Sequence, residues 1–195
     1  MEHAWLIAGL GNPGKAYRRT RHNVGFMVVE DLAGRWDVLW AEQAKFKSRL
    51  AMARQSVRRV FLCQPLTYMN TSGSAVESAT RFYRIPAEQV MVVVDDADLP
   101  FGEIRMRPGG GTGGHHGLES VQSCLGTQAF PRLRIGIGRG EEQHREITDY
   151  VLAPFGREEL GLLKKVLERA ADQLECWLEE GLQQAMNRYN GLIEH

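Results

Sequence analysis

Residues 6–26 read LIAGLGNPGKAYRRTRHNVGF, and this stretch organises the interpretation of the whole chain. A short apolar run is followed by three glycines around an Asn-Pro pair, which is typical of a buried strand that enters a tight loop. The loop then carries an amide, a phenol, three guanidinium groups and an imidazole. Because loops at strand ends hold much of the chemistry of a rigid scaffold, this density of polar groups predicts a functional loop.

The segment 9–14, GLGNPG, formally satisfies the G-x-G-x-x-G pattern of dinucleotide-binding folds. In those folds the third glycine lies in a helix whose backbone amides point at the pyrophosphate. Here Pro13 has no amide hydrogen, and residues 15–22 show no helical apolar period, so a helix is expected only after Asn23. The dinucleotide-binding interpretation is therefore disfavoured.

The composition is that of an ordinary globular protein. With 195 residues, 43% hydrophobic and 25% charged, the chain fits a single domain over residues 1–195. No stretch approaches the ~20 apolar residues that span a bilayer, and no N-terminal signal segment is expected. Three widely spaced cysteines indicate reduced thiols of a cytosolic protein. Neither they nor the six histidines have metal-ligand spacing, so no metal site is expected.

The net charge is zero, but the charge is distributed unevenly. Residues 1–60 hold 11 Lys and Arg against 5 Asp and Glu, whereas residues 61–149 and 150–195 each have a balance of −3. A neutral total can therefore hide a basic face that binds phosphate. The alternative is a solvated surface on which the charges even out, and the charge counts alone favour it.

Apolar runs and helical stripes alternate along the chain, without an internal repeat or a Pro/Ser-rich linker. Beyond the first apolar run, strands are predicted at residues 48–53, 57–63, 90–94, 104–107 and 133–137. Helices are predicted between strands, one of them with Ser72 as its N-cap. The alternation predicts a single three-layer α/β domain with a mixed, mostly parallel, twisted sheet and helices on both faces.

Three predicted strands end in loops with polar side chains, and ligands of such sheets bind beyond the carboxyl ends of the strands. The loops carry Asn12 and His22, Met69 and Asn70, and Asp95. If they converge, a carboxylate fixes the imidazole tautomer, and the other ring nitrogen takes a proton from water. Taken singly, each residue has a simpler interpretation as a helix cap or turn residue. Nucleophilic catalysis is disfavoured because these loops contain no cysteine and the chain has no G-x-S-x-G turn.

Four motifs carry a resemblance to a known family. They are GLGNPGKAY with TRHNVGF, QPLTYMNTSG, VVVDDADLPFGEIRMRPGGGTGGHHGL and FPRLRIGIGRG, in this order across residues 6–140. On these motifs the chain resembles bacterial peptidyl-tRNA hydrolase. The resemblance implies hydrolysis of the ester between a peptide and the 3′ ribose of tRNA, which frees the tRNA for translation and ribosome rescue. It further implies a monomeric, cytoplasmic enzyme that binds the acceptor stem and CCA end, without a metal, an organic cofactor or a membrane.

The resemblance also implies roles for individual residues. By position, His22 matches the catalytic base and Asp95 its partner, while Asn12 and Asn70 match asparagines that position the substrate. The remaining substrate-binding positions are Tyr17 near the tRNA end, Met69 in the peptide channel, and Gly113, His115 and His116 in and after a glycine-rich loop. The positions expected to contact the RNA backbone are Arg105, Arg107 and Arg134.

Two positions depart from the family pattern. His116 stands where the family has a functional asparagine, and Ala97 stands where much of the family has a leucine. A second function class therefore stays open, that of a non-catalytic relative that kept the fold and an RNA-binding face. The intact set of His22, Asp95 and the two asparagines argues against it. A protonated His116 supplies only hydrogen-bond donors, so we expect the activity of this protein to fall more steeply towards acid pH than that of a His116→Asn variant. The conformation of residues 138–150 is not predicted.

Overall fold

The structure is a computed structural model that describes residues 4–139 and 146–193. Within these residues, eight strands are present: β1 (Ala4–Gly9), β2 (Ala41–Gln43), β3 (Ser48–Gln55), β4 (Arg58–Pro65), β5 (Val90–Asp96), β6 (Glu103–Arg107), β7 (Arg132–Gly136) and β8 (Gly191–Leu192). The helices of the same part of the chain are α1 (Val24–Arg35), α2 (Ser72–Tyr83), α3 (His116–Leu125), α4 (Ile147–Val151), α5 (Leu160–Glu180) and α6 (Leu182–Tyr189).

The strands form one sheet in the order β2-β3-β4-β1-β5-β7-β6-β8. The four central strands pair in parallel, while β3 and β6 run antiparallel to their neighbours. The outermost strands β2 and β8 point the same way as the centre, so most strands share one direction. The predicted mixed, mostly parallel sheet is thus confirmed.

Helices cover both faces of the sheet, because side chains of a strand point alternately to opposite faces. On β1, Ile7 packs into the core that contains Val28 of α1 and Val166 of α5. Its neighbour Leu6 packs into a second core, with Val76 of α2 and Leu118 and Val121 of α3. The predicted three-layer architecture is confirmed.

Several predicted boundaries needed correction. Ser72 is inside α2 and Thr71 is its N-cap, without a side-chain cap bond, because a 3-10 turn at Met69–Thr71 leads directly into the helix. Val57 lies in the turn between β3 and β4 and is 79% exposed, rather than beginning a strand. The short edge strands β2 and β8 and the helix α4 were not predicted. Among the described residues, no helix is both long and apolar enough to cross a membrane.

Two glycines bring the first loop against the sheet. A Cβ atom on Gly9 would lie 2.1 Å from the carbonyl oxygen of Gly25, and one on Gly25 would lie 2.4 Å from that of Val93. Because neither position has room for a side chain, α1 begins in direct backbone contact with the ends of β1 and β5. The 3-10 turn Arg21–Asn23, which precedes α1, is therefore held next to the carboxyl end of β5.

Candidate active site

A cavity of about 310 Å³ opens beyond the carboxyl ends of the central strands. Asn12, His22, Met69, Asn70 and Asp95 all line it. The three loops that were predicted from strand ends therefore meet in one place, because the parallel strands that carry them end at the same edge of the sheet.

The centre of the cavity is a buried carboxylate between two imidazoles. Asp95 has a 3% exposed side chain, and its two oxygens lie 2.9 and 3.0 Å from Nδ1 of His22. The Nδ1 proton of His22 is donated to this carboxylate, since an ionised carboxylate only accepts. The other ring nitrogen, Nε2, has no hydrogen-bond partner among the residues described and belongs to a ring that lines the cavity.

His115 contacts the same carboxylate from the other side. Its Nε2 lies 2.9 Å from Oδ1 of Asp95, and its Nδ1 accepts from the backbone amides of Gly117 and Leu118 at 3.1 and 3.3 Å. Because Nδ1 accepts hydrogen bonds, the ring carries its proton on Nε2 and donates it to Asp95. His115 was predicted as a substrate contact, and its bond to Asp95 was missed. The signal available in the sequence was its N-cap position before α3.

The two imidazoles determine the charge state of Asp95. Burial alone raises the pKa of this carboxyl group, but the electrostatic interaction and hydrogen bond of His115, followed by those of His22, lower the pKa well below its usual range. Asp95 is therefore ionised at neutral pH and accepts a hydrogen bond from an N–H group of each ring.

Asn12 is held rigidly by two partners. Its backbone N–H donates to Oδ1 of Asn23 at 2.9 Å, and its carbonyl accepts from the amide nitrogen of Asn23 at 2.9 Å. Its side-chain Oδ1 accepts from the backbone N–H of Met69 at 2.8 Å. These bonds fix the orientation of the Asn12 amide, and its Nδ2 donor is left without a partner among the residues described. The sequence interpretation missed the contribution of Asn23.

The amino-acid sequence matches a known family over nearly the whole chain. The sequence model described as Peptidyl-tRNA hydrolase covers residues 6–195. The chain belongs to the peptidyl-tRNA hydrolase family. Peptidyl-tRNA hydrolase from Chloroflexus aggregans is 49% identical over 189 residues, which are 96% of this chain and 100% of that protein. Its counterpart from Carboxydothermus hydrogenoformans is 46% identical over 186 residues, 95% of this chain and 98% of that one.

Solved structures of peptidyl-tRNA hydrolases share the fold. A crystal structure of the enzyme from Acinetobacter baumannii superimposes with a TM-score of 0.90 at 35% identity, covering 98% of this chain and 97% of that one. A complex of peptidyl-tRNA hydrolase with N-propanol gives a TM-score of 0.91 at the same identity and coverage. The predicted family and fold class are thereby confirmed.

The glycine-rich loop of this family member is fastened by two arginines of β7. Arg132 is 1% exposed and donates to the carbonyls of Gly110 and Gly111 at 2.5 and 3.2 Å. Burial, together with the charge of Arg134, lowers the pKa of Arg132 to about 10. Arg134 donates to Gly111 O at 2.8 Å and pairs with Asp96 at 3.0 Å. The role of Arg132 was missed, and Arg134 proves to be bonded within the protein.

The other two residues predicted to contact RNA, Arg105 and Arg107, are more exposed than Arg134. On β6, Arg105 is directly opposite Arg134 and pairs with Glu103 at 2.6 Å, with a side chain that is 40% exposed. Arg107 ends the strand, is exposed, and has no ion-pair partner among the residues described. These arginines form a basic edge beside the glycine-rich loop.

Of the remaining residues predicted to bind the substrate, three line the cavity and one does not. Gly113 lines the cavity with φ +61°, and Asn70 lines it from an exposed position. His116 is at the mouth, where its 76% exposed side chain contacts Glu119 at 3.0 Å. Tyr17 is half-buried in the loop between β1 and α1 and is not among the described residues that line the cavity.

Of the residues described, one group has the composition and spacing to bind a metal ion. It consists of His22, Asp95 and His115, whose ligand atoms lie within 4.8 Å of one another. In the structure both imidazoles use these nitrogens to donate protons to the carboxylate. The same atoms can serve either the hydrogen-bonded triad or a metal ion, because a coordinating nitrogen carries no proton.

Proposed function

We propose that this protein hydrolyses the ester that joins a peptide, or an N-acylated amino acid, to the 3′ ribose of tRNA. The observation that carries the proposal is the pairing of His22 Nδ1 with the buried carboxylate of Asp95. This pairing leaves Nε2 of a fixed imidazole able to accept a proton at the edge of the cavity. Membership of the peptidyl-tRNA hydrolase family identifies the ester as the substrate bond.

In the proposed reaction, His22 Nε2 takes a proton from a water molecule as its oxygen attacks the ester carbonyl carbon. The carbonyl oxygen becomes an oxyanion, which the Nδ2 donor of Asn12 stabilises. The tetrahedral intermediate then collapses, the bond to the ribose 3′ oxygen breaks, and that oxygen takes the proton from His22. The products are a tRNA with a free 3′ hydroxyl and a peptide with a free carboxylic acid, which releases the second proton of the water molecule to solvent and becomes a carboxylate.

The substrate is proposed to enter with its two parts on different sides of His22. The peptide lies along the cavity, where Met69, Leu118 and Val151 supply apolar surface and Asn70 and Gly113 supply polar groups.

The acceptor stem and CCA end lie along the basic edge at Arg105 and Arg107, because exposed arginines are available to phosphate oxygens. Arg134 contributes there by supporting the loop. We keep Tyr17 and His115 as proposed contacts near the reacting ester, and His116 as a proposed substrate contact at the mouth of the cavity, away from the ester.

The chain supplies every group of this mechanism, so we propose that residues 1–195 act as one domain and as a monomer. The mechanism activates water with an imidazole, so we propose that no metal is required. Three free cysteines are compatible with a reducing compartment, which supports the cytoplasm as its location. A non-catalytic RNA-binding relative is not favoured, since a pure binder has no use for the His22–Asp95 pair.

The test is to incubate the purified protein with N-acetylated aminoacyl-tRNA and, in parallel, with free aminoacyl-tRNA, each with and without EDTA. We expect cleavage of the first substrate only, because the charged amine of the second loses its hydration in the apolar cavity. We expect EDTA to leave the rate unchanged. Absence of cleavage of the N-acetylated substrate by a protein that binds tRNA would contradict the proposal.

A further inference from the structure

The residue immediately before His22 is a buried arginine in an unusual set of contacts. Arg21 is 9% exposed, and its guanidinium donates to the carbonyl of Pro154 and pairs with Glu159 at 2.7 Å. The same group lies 4.7 Å from the ring centroid of Tyr150 and 5.2 Å from that of Phe155. One side chain therefore engages a carbonyl, a carboxylate and two aromatic rings, which suits the planar fork of arginine and no other side chain.

The backbone of Arg21 and of the preceding residue contacts the same distant segment. The N–H of Arg21 donates to the carbonyl of Ala153 at 3.0 Å, and Thr20 forms an antiparallel bridge with Pro154. Glu159 is itself held in place, since its Oε2 accepts from the N–H of Gly156 at 2.5 Å. The turn that carries His22 is thus fastened to residues 150–159 by both its main chain and its side chain.

The segment that Arg21 contacts, residues 150–159, directly follows residues that line the active-site cavity. We name residues 147–152 the wall segment, because Ile147, Thr148, Val151 and Leu152 line the active-site cavity. The wall segment is also anchored to the residues that directly follow β7, where the hydroxyl of Tyr150 contacts the carbonyl of Ile137 at 2.8 Å and that of Gly138. Arg21 stacks on that same tyrosine, so it joins the wall segment to the residue next to the base.

We propose that Arg21 is a positioning residue for the hydrolysis. It fixes the position of His22 relative to the wall segment while the ester is bound in the cavity. The inference rests on the proposed function of the site. Arg21 itself lines a neighbouring groove and does not line the active-site cavity among the residues described, so it acts on the reaction through His22. Because a displacement of about 1 Å far from the chemistry can cost about 10²-fold in rate, this register matters for kcat.

The experiment compares Arg21→Gln and Arg21→Lys with the wild type on N-acetylated aminoacyl-tRNA. Glutamine cannot reach the carbonyl and the carboxylate together, so we expect kcat to fall by roughly ten- to a hundredfold. Lysine keeps the charge over the rings but lacks the fork, so its kcat should lie between those of the other two proteins. KM and the affinity for deacylated tRNA should stay unchanged, since Arg21 contacts neither part of the substrate.

Two further variants separate positioning from folding. Glu159→Gln keeps the shape of the ion-pair partner and removes its charge, so kcat should fall in the same direction by a smaller factor even if Arg21→Gln does not fold. Arg157→Gln is the matched control, because Arg157 is exposed and has no ion-pair partner among the residues described. Its kcat should equal that of the wild type.

A merely structural role predicts a different pattern. In that case folded Arg21→Gln and Glu159→Gln proteins would melt at lower temperature and still show the wild-type kcat at a temperature well below melting, which would overturn the proposal. A fall in kcat for Arg157→Gln equal to that for Glu159→Gln would also overturn it. An inactive wild-type protein would instead contradict the proposed function on which the inference rests.

Discussion

Two histidines flank the Asp95 carboxylate, and they differ in their hydrogen bonding. His22 and His115 both donate a ring proton to Asp95, and their ring centroids lie 5.2 Å apart. The difference lies in the other nitrogen of each ring. That of His115 accepts from two backbone amides at the start of α3, whereas that of His22 has no partner among the residues described.

This difference assigns the roles of the two histidines. A nitrogen that already accepts two N–H groups cannot also take a proton from water, so His115 is a fixed donor that supports the carboxylate. His22 keeps a lone pair available at the cavity and is suited to general-base catalysis. The role of an imidazole in this site is therefore decided by what its second nitrogen contacts, and neither residue type nor proximity to Asp95 distinguishes the two.

Removing His22 should produce the largest effect. A positioned general base contributes about 10²–10⁴-fold in rate, so kcat of His22→Ala should fall by about that factor. The affinity for deacylated tRNA, measured by fluorescence anisotropy, should stay at the wild-type value. A parallel loss of rate and of tRNA affinity would show that His22 supports the structure instead.

Removing His115 should lower kcat less, because the proposed base, His22, and its carboxylate partner remain. His115→Ala deletes one charge-assisted bond to Asp95, and we expect kcat to fall by about tenfold, equivalent to ~1.4 kcal/mol. The variant also loses the cap of α3, which lowers stability by about 1 kcal/mol. Rate and denaturant midpoint are measured on the same preparation. A loss of kcat as large as that of His22→Ala would break the distinction between the two rings.

The low pKa of Asp95, which both histidines contact, should make the free energy of unfolding depend on pH. The pKa of Asp95 is lower in the folded protein than in the unfolded chain, so the unfolded chain takes up this proton first as the pH falls. The stability that Asp95 contributes is therefore fully present above the ordinary Asp pKa of about 3.9 and is lost below it. We expect the difference in unfolding free energy between wild type and Asp95→Asn to be constant above that pH and to shrink below it. A difference that grows on acidification would contradict the assignment.

A third imidazole next to His115 provides the control with the smallest expected effect. The side chain of His116 is 76% exposed and contacts Glu119 of its own helix, away from Asp95. Because of this exposed position, we replace the steeper acid limb expected from the sequence. His116→Asn should have the same kcat as the wild type and the same dependence of kcat/KM on pH between mildly acidic and mildly basic conditions. A steeper acid limb for the wild-type protein would show that His116 acts on the reaction as well.

Much of the fold and part of the site followed from local sequence patterns. The β-branched run at residues 90–94 and the glycines around Asn12 determine a central strand and a tight loop, and parallel strands place their loops at one edge. His22, Asp95 and Asn12 could therefore be expected to meet in one cavity. The short edge strands escaped detection, because two or three residues contain no measurable period.

The contacts that distinguish the histidines could not be predicted in the same way. His115 reaches Asp95 only because a loop with Gly113 and Gly114 at positive φ turns the cap residue of α3 back toward β5. Arg21 and Glu159 meet across most of the chain length. Such pairs depend on how distant segments pack, and no periodicity or turn signal along the chain encodes that information.

The proton position on the two rings separates the roles of His22 and His115 most directly. It is read from long-range ¹H–¹⁵N NMR correlations of ¹⁵N-histidine-labelled protein at neutral pH. The signals are assigned by their loss in His22→Ala and His115→Ala. We predict that His22 carries its proton on Nδ1 with Nε2 unprotonated, and that His115 carries its proton on Nε2 with Nδ1 unprotonated. A His115 ring protonated on Nδ1, or a His22 ring protonated on Nε2 alone, would contradict the assignment of His22 as the base and His115 as its fixed counterpart.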